Sequence, residues 1–265
     1  MIGIVIDIDP VVLRLGPFTV RWFGLTLALA LALGLYLWRR AARRLGMTSD
    51  DVYGVAFWAL AGGIVMSRLF HAFDDLDYFW RHPADLLAIY EGGLSMWGGL
   101  IGGLLGSWLY LRRQHLPLAP ATDAATLPLL AAQIVGRLGY VSNGDAYGRI
   151  ADLPWAFTYI HPEAMVPMLG VPTHPYPAYE MAWNLVGLAL LWRLRGRLRP
   201  RGALFLDYAL VYSLGRLVLS YTRQNDSLFL GLATDQWVAL LVLAAAALCY
   251  LRLRCKAAAT VATQT

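Results

Sequence analysis

The sequence predicts an all-α, polytopic membrane protein with seven transmembrane helices and a small head region outside the membrane. Three observations support this fold class: the composition, seven long apolar segments, and basic residues gathered at the ends of those segments. Of the 265 residues, 58% are hydrophobic and 15% are charged, and the mean hydropathy is +0.53. Soluble domains average roughly 45–50% apolar and 25% charged residues, so the composition argues against a water-soluble domain.

Seven apolar segments define the predicted spans. A helix needs about 20 mostly apolar residues to cross a bilayer, and each segment meets or approaches that length. In chain order they are residues 18–38, 52–72, 93–111, 125–141, 177–193, 203–222 and 236–251. We expect a single integral-membrane domain over residues 1–265, in which the glycine-rich stretch 98–106 permits close helix contact. Because seven is odd, the two termini lie on opposite sides of the membrane.

Clusters of basic residues orient these segments. Fourteen of the 22 basic residues follow the first, third, fifth and seventh segments. The clusters are Arg39, Arg40, Arg43 and Arg44; Arg112 and Arg113; Arg193, Arg195, Arg197, Arg199 and Arg201; and Arg252, Arg254 and Lys256. Basic residues favour the cytoplasmic side, which places the N-terminus outside and the C-terminus in the cytoplasm. The longest outward loop, residues 143–176, forms the predicted head region.

Several functional classes find no support in the sequence. The basic residues lie at the ends of apolar segments and not on a solvated face, so we expect no nucleic-acid partner. There is no GxSxG, HExxH or CxxC motif, and the five histidines are dispersed. The sequence therefore predicts neither a serine hydrolase nor a metal site, and we expect no cofactor.

Three arginines give the main functional signal, because Arg68, Arg137 and Arg216 lie inside apolar segments or near their outer ends. An arginine at the centre of a spanning helix costs about 2.5–3.5 kcal/mol on insertion scales, so such residues usually face a polar cavity or a partner. Each one alone is equally well explained by snorkelling to the membrane interface. Three on three segments indicate an anion site, and the planar guanidinium group suits a phosphate.

The segment around Arg137 gives the second signal. Its sequence, GRLGYVSNGDAYGR (136–149), combines four glycines with polar residues and two arginines at the end of an apolar helix. Such a turn brings backbone N–H groups close to whatever Arg137 binds. A simple helix C-cap would explain Gly144 but not the arginines.

This segment resembles the GRxGNFxNGExxGR signature of the bacterial prolipoprotein diacylglyceryl transferase family, and four further motifs follow the family order along the chain. RWFGL (21–25) resembles RWYGL, GGLSMWGGL (92–100) resembles GGLSFHGGL, HPYPAYE (174–180) resembles HPSQLYE, and GRLVLSYTRQND (215–226) resembles GRFxxExxRxPD. Together these matches imply the family's fold.

The resemblance implies a multi-pass enzyme of the bacterial inner membrane with seven helices, a small periplasmic head, a periplasmic N-terminus and a cytoplasmic C-terminus. Its substrates would be phosphatidylglycerol, a membrane lipid, and the lipobox segment of a prolipoprotein. The diacylglyceryl group would move to the lipobox cysteine thiol, a thioether would form, and glycerol phosphate would leave. We expect a monomer.

The family's roles carry over to matching positions and their neighbours. Arg137 and Arg216 are the expected catalytic cations, because they would stabilise charge on the departing phosphate. His71, one helical turn from Arg68, is the expected base, although a lone histidine there also fits a satisfied interfacial residue. The expected substrate-binding residues are Arg68, Asn143, Gly148, Arg149, Tyr179, Glu180 and Arg223. Asp145, His174 and Glu180 are further candidates for the base.

Four departures from the family motifs lie in or near the expected site, and each removes a polar group. They are Phe23 for tyrosine, Trp97 for histidine, Tyr140 for asparagine and Ser220 for glutamate. Two explanations stay open: a divergent member that performs the same transfer with another base, or a paralogue that transfers to a different acceptor.

An anion or lipid transporter is the alternative from another class, since intramembrane arginines also line anion pathways. That alternative predicts two repeated halves, and the sequence shows no evident internal similarity.

Overall fold

The computed structural model describes residues 3–16, 18–87, 93–196, 200–224 and 227–262. The protein is mostly helical, as predicted, with 69% of residues in helices. Within the described residues the helices are α1 (Trp22–Ala42), α2 (Ser49–Asp74), α3 (Leu76–Arg81), α4 (Met96–Arg113), α5 (Leu118–Asn143), α6 (Tyr176–Leu194), α7 (Ala203–Leu219) and α8 (Thr234–Ala262). The motif positions Gly92, Asn225 and Asp226 and the cluster arginines Arg197 and Arg199 lie outside the described residues.

Each of the seven predicted segments contains a helix, and five of these are long and apolar enough to cross a membrane. The five are Trp22–Leu45, Ser49–Asp74, Leu118–Asn143, Ala203–Thr222 and Thr234–Leu253. Helices α4 and α6 correspond to the other two segments but are not among the five. Five candidate spans are therefore supported, and the count of seven stays a prediction.

Side-chain caps and terminal charges set several helix ends. At the start of α2, Thr48 Oγ1 accepts a hydrogen bond from the Asp51 amide (3.1 Å), and the Asp51 carboxylate accepts one from the Thr48 amide (2.7 Å). This reciprocal capping box satisfies two of the donors that a helix N-terminus leaves free. Arg39 and Arg40 lie in the last turn of α1, where positive charge interacts favourably with the negative end of the helix dipole.

The chain divides into two compact units, unit I (residues 1–37 and 123–265) and unit II (residues 38–122). In unit II, α2 and α4 pack backbone against backbone through glycines, as the sequence predicts for stretch 98–106. A Cβ atom on Gly102 would lie 2.1 Å from the carbonyl oxygen of Gly62, and one on Gly106 would lie 2.0 Å from that of Trp58. Side chains at these positions would force the two helices apart.

In unit I, α7 packs against both α6 and α8. A buried cluster of Leu130, Leu191 and Tyr208 joins α5, α6 and α7. Asp123 of α5 caps the start of α7, since its carboxylate accepts hydrogen bonds from the amides of Gly202 (2.6 Å) and Phe205 (2.9 Å). These contacts pack the three helices together, and Asp123 fixes the start of α7.

Unit I also contains short strands. Strand β1 (Ile4–Ile6) pairs in parallel with β4 (Phe157–Tyr159), which pairs antiparallel with β5 (Pro172–Thr173). Two further pairs are β2 (Val11–Leu15) with β3 (Phe18–Arg21) and β6 (Ser227–Phe229) with β7 (Leu232–Ala233). The all-α prediction missed these strands because two to five residues give no clear alternating pattern. Within residues 143–176, β4 pairs with both β5 and the N-terminal strand β1. That this region forms a head outside the membrane stays a prediction.

Candidate functional site

Glu180 joins the two arginines that the sequence singled out on α5 and α7. Its Oε1 atom accepts hydrogen bonds from Nη2 of Arg137 (2.9 Å) and Nη1 of Arg216 (2.7 Å), and its Oε2 atom lies 2.9 Å from Nε of Arg137. The Glu180 side chain is 5% exposed, against 18% for Arg137 and 15% for Arg216. The structure therefore pairs both arginines with one carboxylate.

Tyr176, which sequence analysis did not select, completes this arrangement. It lies one helical turn before Glu180 on α6, so both side chains project from the same face of the helix. The Tyr176 hydroxyl accepts a hydrogen bond from Nη1 of Arg216 (2.7 Å) and donates one to Oε1 of Glu180 (3.1 Å). The spacing of four residues before Glu180, which lies in a predicted apolar segment, was the available signal in the sequence.

A second carboxylate, Asp235 of α8, lies on the other side of Arg216. Its Oδ2 atom accepts hydrogen bonds from Nη2 of Arg216 (3.1 Å) and Oγ of Ser220 (2.6 Å). The same oxygen lies 3.9 Å from Nη1 of Arg223, whose guanidinium carbon lies 5.6 Å from the centre of the Tyr176 ring. Sequence analysis missed Asp235 because the residue lies in no family motif that it used.

This group of side chains carries more positive than negative charge. We call it the arginine cluster: the guanidinium groups of Arg137, Arg216 and Arg223 with the carboxylates of Glu180 and Asp235. Three cations against two anions leave one positive charge in excess, and Arg223, whose side chain is 35% exposed, is the most accessible of the three arginines. Buried charges are normally compensated, so a bound anion such as a phosphate ester would complete the cluster.

Two glycines allow the helices of the cluster to approach closely. A Cβ on Gly215, the residue before Arg216, would lie 2.3 Å from Nε1 of Trp183 on α6. A Cβ on Gly139 would lie 2.1 Å from Oγ1 of Thr26 on α1. Glycine in these motifs therefore serves helix packing near the arginines.

Two of the four departures from the family motifs contact each other beside Arg137. The rings of Phe23 and Tyr140 meet edge to face, with their centres 5.0 Å apart. The guanidinium carbon of Arg137 lies 4.8 Å from the centre of the Tyr140 ring. A cation–π contact is worth about 0.5–2 kcal/mol, so aromatic packing supports Arg137 where the family motifs have polar side chains.

Gly148 and Arg149 form backbone hydrogen bonds to two other motifs of unit I, residues 174–180 and 215–226. The Gly148 amide donates to the carbonyl of His174 (3.1 Å), and the Arg149 amide donates to that of Thr222 (2.8 Å). A Cβ on Gly148 would lie 2.6 Å from both carbonyl oxygens, so a side chain does not fit here. Nε of Arg149 also donates to the carbonyl of Arg223 (3.2 Å), which ties the signature segment to the second arginine motif.

Asn143 holds the turn at the end of α5. Its Nδ2 donates to Oδ2 of Asp145 (2.8 Å), and its carbonyl accepts from the Met165 amide (3.0 Å). Within the described residues, Oδ1 of Asn143 and Oδ1 of Asp145 are buried acceptors without a hydrogen-bond donor. Burial raises the pKa of Asp145 above its ordinary value, although the Asn143 hydrogen bond and the charge of Arg137 oppose the shift.

Tyr179 and His174 lie next to each other at the start of α6. The Tyr179 hydroxyl accepts a hydrogen bond from Nε1 of Trp155 (2.9 Å) and lies 3.3 Å from Nδ1 of His174. The structure therefore ties Tyr179 to the loop that precedes α6.

Arg68 and His71 belong to unit II, where both contact Phe79. The Arg68 guanidinium is buried and donates to the carbonyls of Leu86 (3.2 Å), Gly93 (2.9 Å) and Asp85. Its carbon lies 5.3 Å from the centre of the Phe79 ring, and the His71 ring meets the same ring edge to face at 5.8 Å. Arg68 thus holds the chain after α3 against α2, and its part in substrate binding stays a prediction, as does the role of His71 as base.

Comparison with known proteins identifies the family of this chain. The family model described as prolipoprotein diacylglyceryl transferase matches residues 10–252. A phosphatidylglycerol–prolipoprotein diacylglyceryl transferase of Dehalococcoides mccartyi is 34% identical over 243 residues, which cover 91% of this chain and 92% of the relative. Proteins of the same name are 34% identical in Synechococcus elongatus, covering 89% of this chain and 84% of the relative, and 32% identical in Limosilactobacillus reuteri, covering 86% and 85%. The chain belongs to the prolipoprotein diacylglyceryl transferase family.

Proposed function

We propose that the protein transfers the diacylglyceryl group of phosphatidylglycerol to the lipobox cysteine thiol of a prolipoprotein and releases glycerol phosphate. The proposal rests mainly on the arginine cluster, in which two carboxylates pair with three guanidinium groups. One positive charge is left over, and a bound anion would neutralise it. The names of the relatives support the choice of lipid and acceptor.

The reaction is a displacement at the glyceryl carbon that carries the phosphate. The thiol sulfur forms a C–S bond to this carbon, and the C–O bond to phosphate breaks with its electron pair going to oxygen. Negative charge grows on the departing glycerol phosphate, and the thiol proton passes to a base. A site that stabilises charge on the leaving oxygen lowers the barrier most directly.

Arg137 and Arg216 would donate hydrogen bonds to the leaving phosphate. Each has part of its guanidinium group committed to Glu180, which fixes the direction of the group before substrate arrives. Such preorganised donors contribute more than mobile ones because they need no reorientation during the reaction. Arg149 and Arg223, joined through the Arg223 carbonyl, would orient the lipid head group, and Asn143, Gly148 and Tyr179 would shape the surrounding loops.

Contacts in the structure remove one of the four candidates for the base. Glu180 serves as counter-ion for two arginines, so the remaining candidates are His71 of unit II and Asp145 and His174 of unit I. Our first choice stays His71, and its substitution by Gln should remove turnover without changing the affinity for phosphatidylglycerol.

We place the protein in the bacterial inner membrane as a multi-pass monomer with seven crossings and one membrane domain. The basic residues that follow the first, third, fifth and seventh apolar segments support a cytoplasmic C-terminus. The N-terminus and the sheet of β1, β4 and β5 would then lie on the periplasmic side, where the lipobox segment of an exported prolipoprotein is accessible.

A direct assay tests the proposed reaction. Purified protein in phosphatidylglycerol vesicles, given a lipobox peptide, should release glycerol phosphate and increase the peptide mass by one diacylglyceryl group. Release of glycerol phosphate without peptide modification would show that the acceptor is a different molecule, as expected for a paralogue. If no glycerol phosphate were released and anions or lipids crossed the vesicle membrane, the protein would be a transporter and not an enzyme.

A further inference from the structure

We propose that Asp235 of α8 is a positioning residue that holds Arg216 and Arg223 for the leaving phosphate, and that Ser220 fixes Asp235 in this role. The inference rests on the proposed function, because it concerns the geometry of the arginine cluster. Asp235 lies outside the five family motifs, and its role follows from its contacts alone.

The contacts of Asp235 converge on one oxygen atom. Oδ2 accepts hydrogen bonds from Oγ of Ser220 (2.6 Å) and Nη2 of Arg216 (3.1 Å), and it lies 3.9 Å from Nη1 of Arg223. The Asp235 side chain is only 13% exposed, so water screens these interactions weakly. Asp235 therefore holds the end of Arg216 that Glu180 does not touch.

The arrangement gives a physical account of the serine at position 220. The family motif has a glutamate four residues after the arginine, which on a helix places a carboxylate beside that arginine. Here α7 supplies only a hydroxyl group, and the carboxylate reaches the same arginine from α8. Negative charge is thus kept beside Arg216 although its source in the chain has moved.

A purely structural role for Asp235 makes a different prediction. Asp235 lies in the first turn of α8, where a carboxylate stabilises the helix by opposing its dipole. If this were its only role, a carboxylate placed on α7 could not replace it. Moving the charge from position 235 to position 220 therefore separates the two roles.

The experiment compares Asp235→Asn with the double variant Asp235→Asn/Ser220→Glu in the vesicle assay, with kcat, KM and thermal midpoint recorded for each. Displacement of a reacting group by about 1 Å can cost on the order of 100-fold in rate, and we expect a loss of kcat of this size in Asp235→Asn. The double variant should recover most of the lost kcat, while its thermal midpoint stays near that of Asp235→Asn.

Three further variants complete the test. Asp123→Asn removes a carboxylate that caps α7 at the end away from the arginine cluster. This variant should have a lower thermal midpoint but unchanged kcat and KM. Ser220→Ala keeps the charge at the start of α8 and should lower kcat by a smaller factor than Asp235→Asn, which provides a measurement even if the latter folds poorly. Arg216→Gln should abolish turnover.

The possible outcomes separate the inference from the function on which it rests. Wild-type kcat in Asp235→Asn, or failure of Ser220→Glu to restore it in the double variant, would overturn the positioning role. An active Arg216→Gln would overturn the assignment of the arginine cluster itself, and the role of Asp235 with it. Rescue in the double variant together with an inactive Arg216→Gln would support both.

Discussion

Gly215 of α7 lies directly against the indole ring of Trp183 on α6, so closely that a Cβ at position 215 would be 2.3 Å from Nε1. The indole N–H donates to the carbonyl of Val211 (2.9 Å), one turn earlier on α7. This contact sets the distance between the helix that carries Glu180 and the helix that carries Arg216. The glycine next to the arginine is thus required by packing.

Gly215→Ala should therefore weaken both the fold and the reaction. Overpacking typically costs about 1–3 kcal/mol, and relief of the clash here would push α6 away from α7 and lengthen the contact between Glu180 and Arg216. We expect a lower thermal midpoint and a reduced turnover. Gly136→Ala is the matched control, since a Cβ there would meet only Ala30 Cβ at 3.8 Å. Equal effects of the two substitutions would refute the packing argument.

Replacement of Glu180 tests the bridge between Arg137 and Arg216. Glu180→Gln leaves two neighbouring guanidinium groups without their shared charge, and removal of one partner from a buried ion pair costs about 3–5 kcal/mol. We expect a large fall in thermal midpoint together with loss of turnover. Tyr176→Phe removes only the hydroxyl between the same groups and should cost about 0.5–1.5 kcal/mol. If both variants had the same thermal midpoint, the bridge would not be the dominant interaction.

Substitution of Arg137 by lysine distinguishes charge from geometry. A lysine keeps the positive charge but lacks the planar set of donors that can bind Glu180 and a phosphate at once. Loss of one preorganised donor typically costs about 100- to 1000-fold in kcat, and we expect a loss of this size in Arg137→Lys. The protein should still insert into the membrane. The control is Arg14→Ala, since Arg14 pairs with Glu163 and is well exposed. Near-wild-type turnover of Arg137→Lys would show that charge alone suffices.

The sequence predicted the helices because long apolar segments leave few alternatives, and each of its seven segments contains a helix. It also predicted Arg137, Arg216, Glu180 and Arg223 as site residues, and the structure brings these four together. What it could not provide was the pairing of charges. The sequence offered Glu180 as a substrate-binding residue and a candidate base, but nothing in the separation of positions 137, 180 and 216 shows that one carboxylate serves both arginines.

Two further features depend on tertiary packing and left little trace in the sequence. Asp235 is 19 residues from Arg216 along the chain, and only the packing of α7 against α8 brings them together. Strand β1 is likewise held by a partner distant in sequence, since Ile4 pairs with Phe157 of β4. In the sequence, Phe23 and Tyr140 are two separate positions at which a polar group of the family motif is lost. The structure shows that their rings contact each other beside Arg137.

Asp145 should make the stability of unit I depend on pH. Burial raises the pKa of its carboxyl group in the folded protein above the ordinary value of 3.8, so the folded state holds the proton more tightly than the unfolded state does. Its contribution to stability is fully present below pH 3.8 and is lost as the pH rises through the folded-state pKa. Asp145→Asn imitates the protonated form and retains a side-chain oxygen that can accept the hydrogen bond from Asn143.

Thermal midpoints of wild type and Asp145→Asn, measured in one detergent across pH, test this expectation. The two curves should approach each other at the acidic end, and at neutral pH the variant should have the higher midpoint because it carries no buried charge. A lower midpoint for Asp145→Asn at neutral pH would mean that attraction from Arg137 and Arg21 outweighs the cost of burial. The order of the two midpoints at neutral pH therefore decides which of these opposing effects is larger.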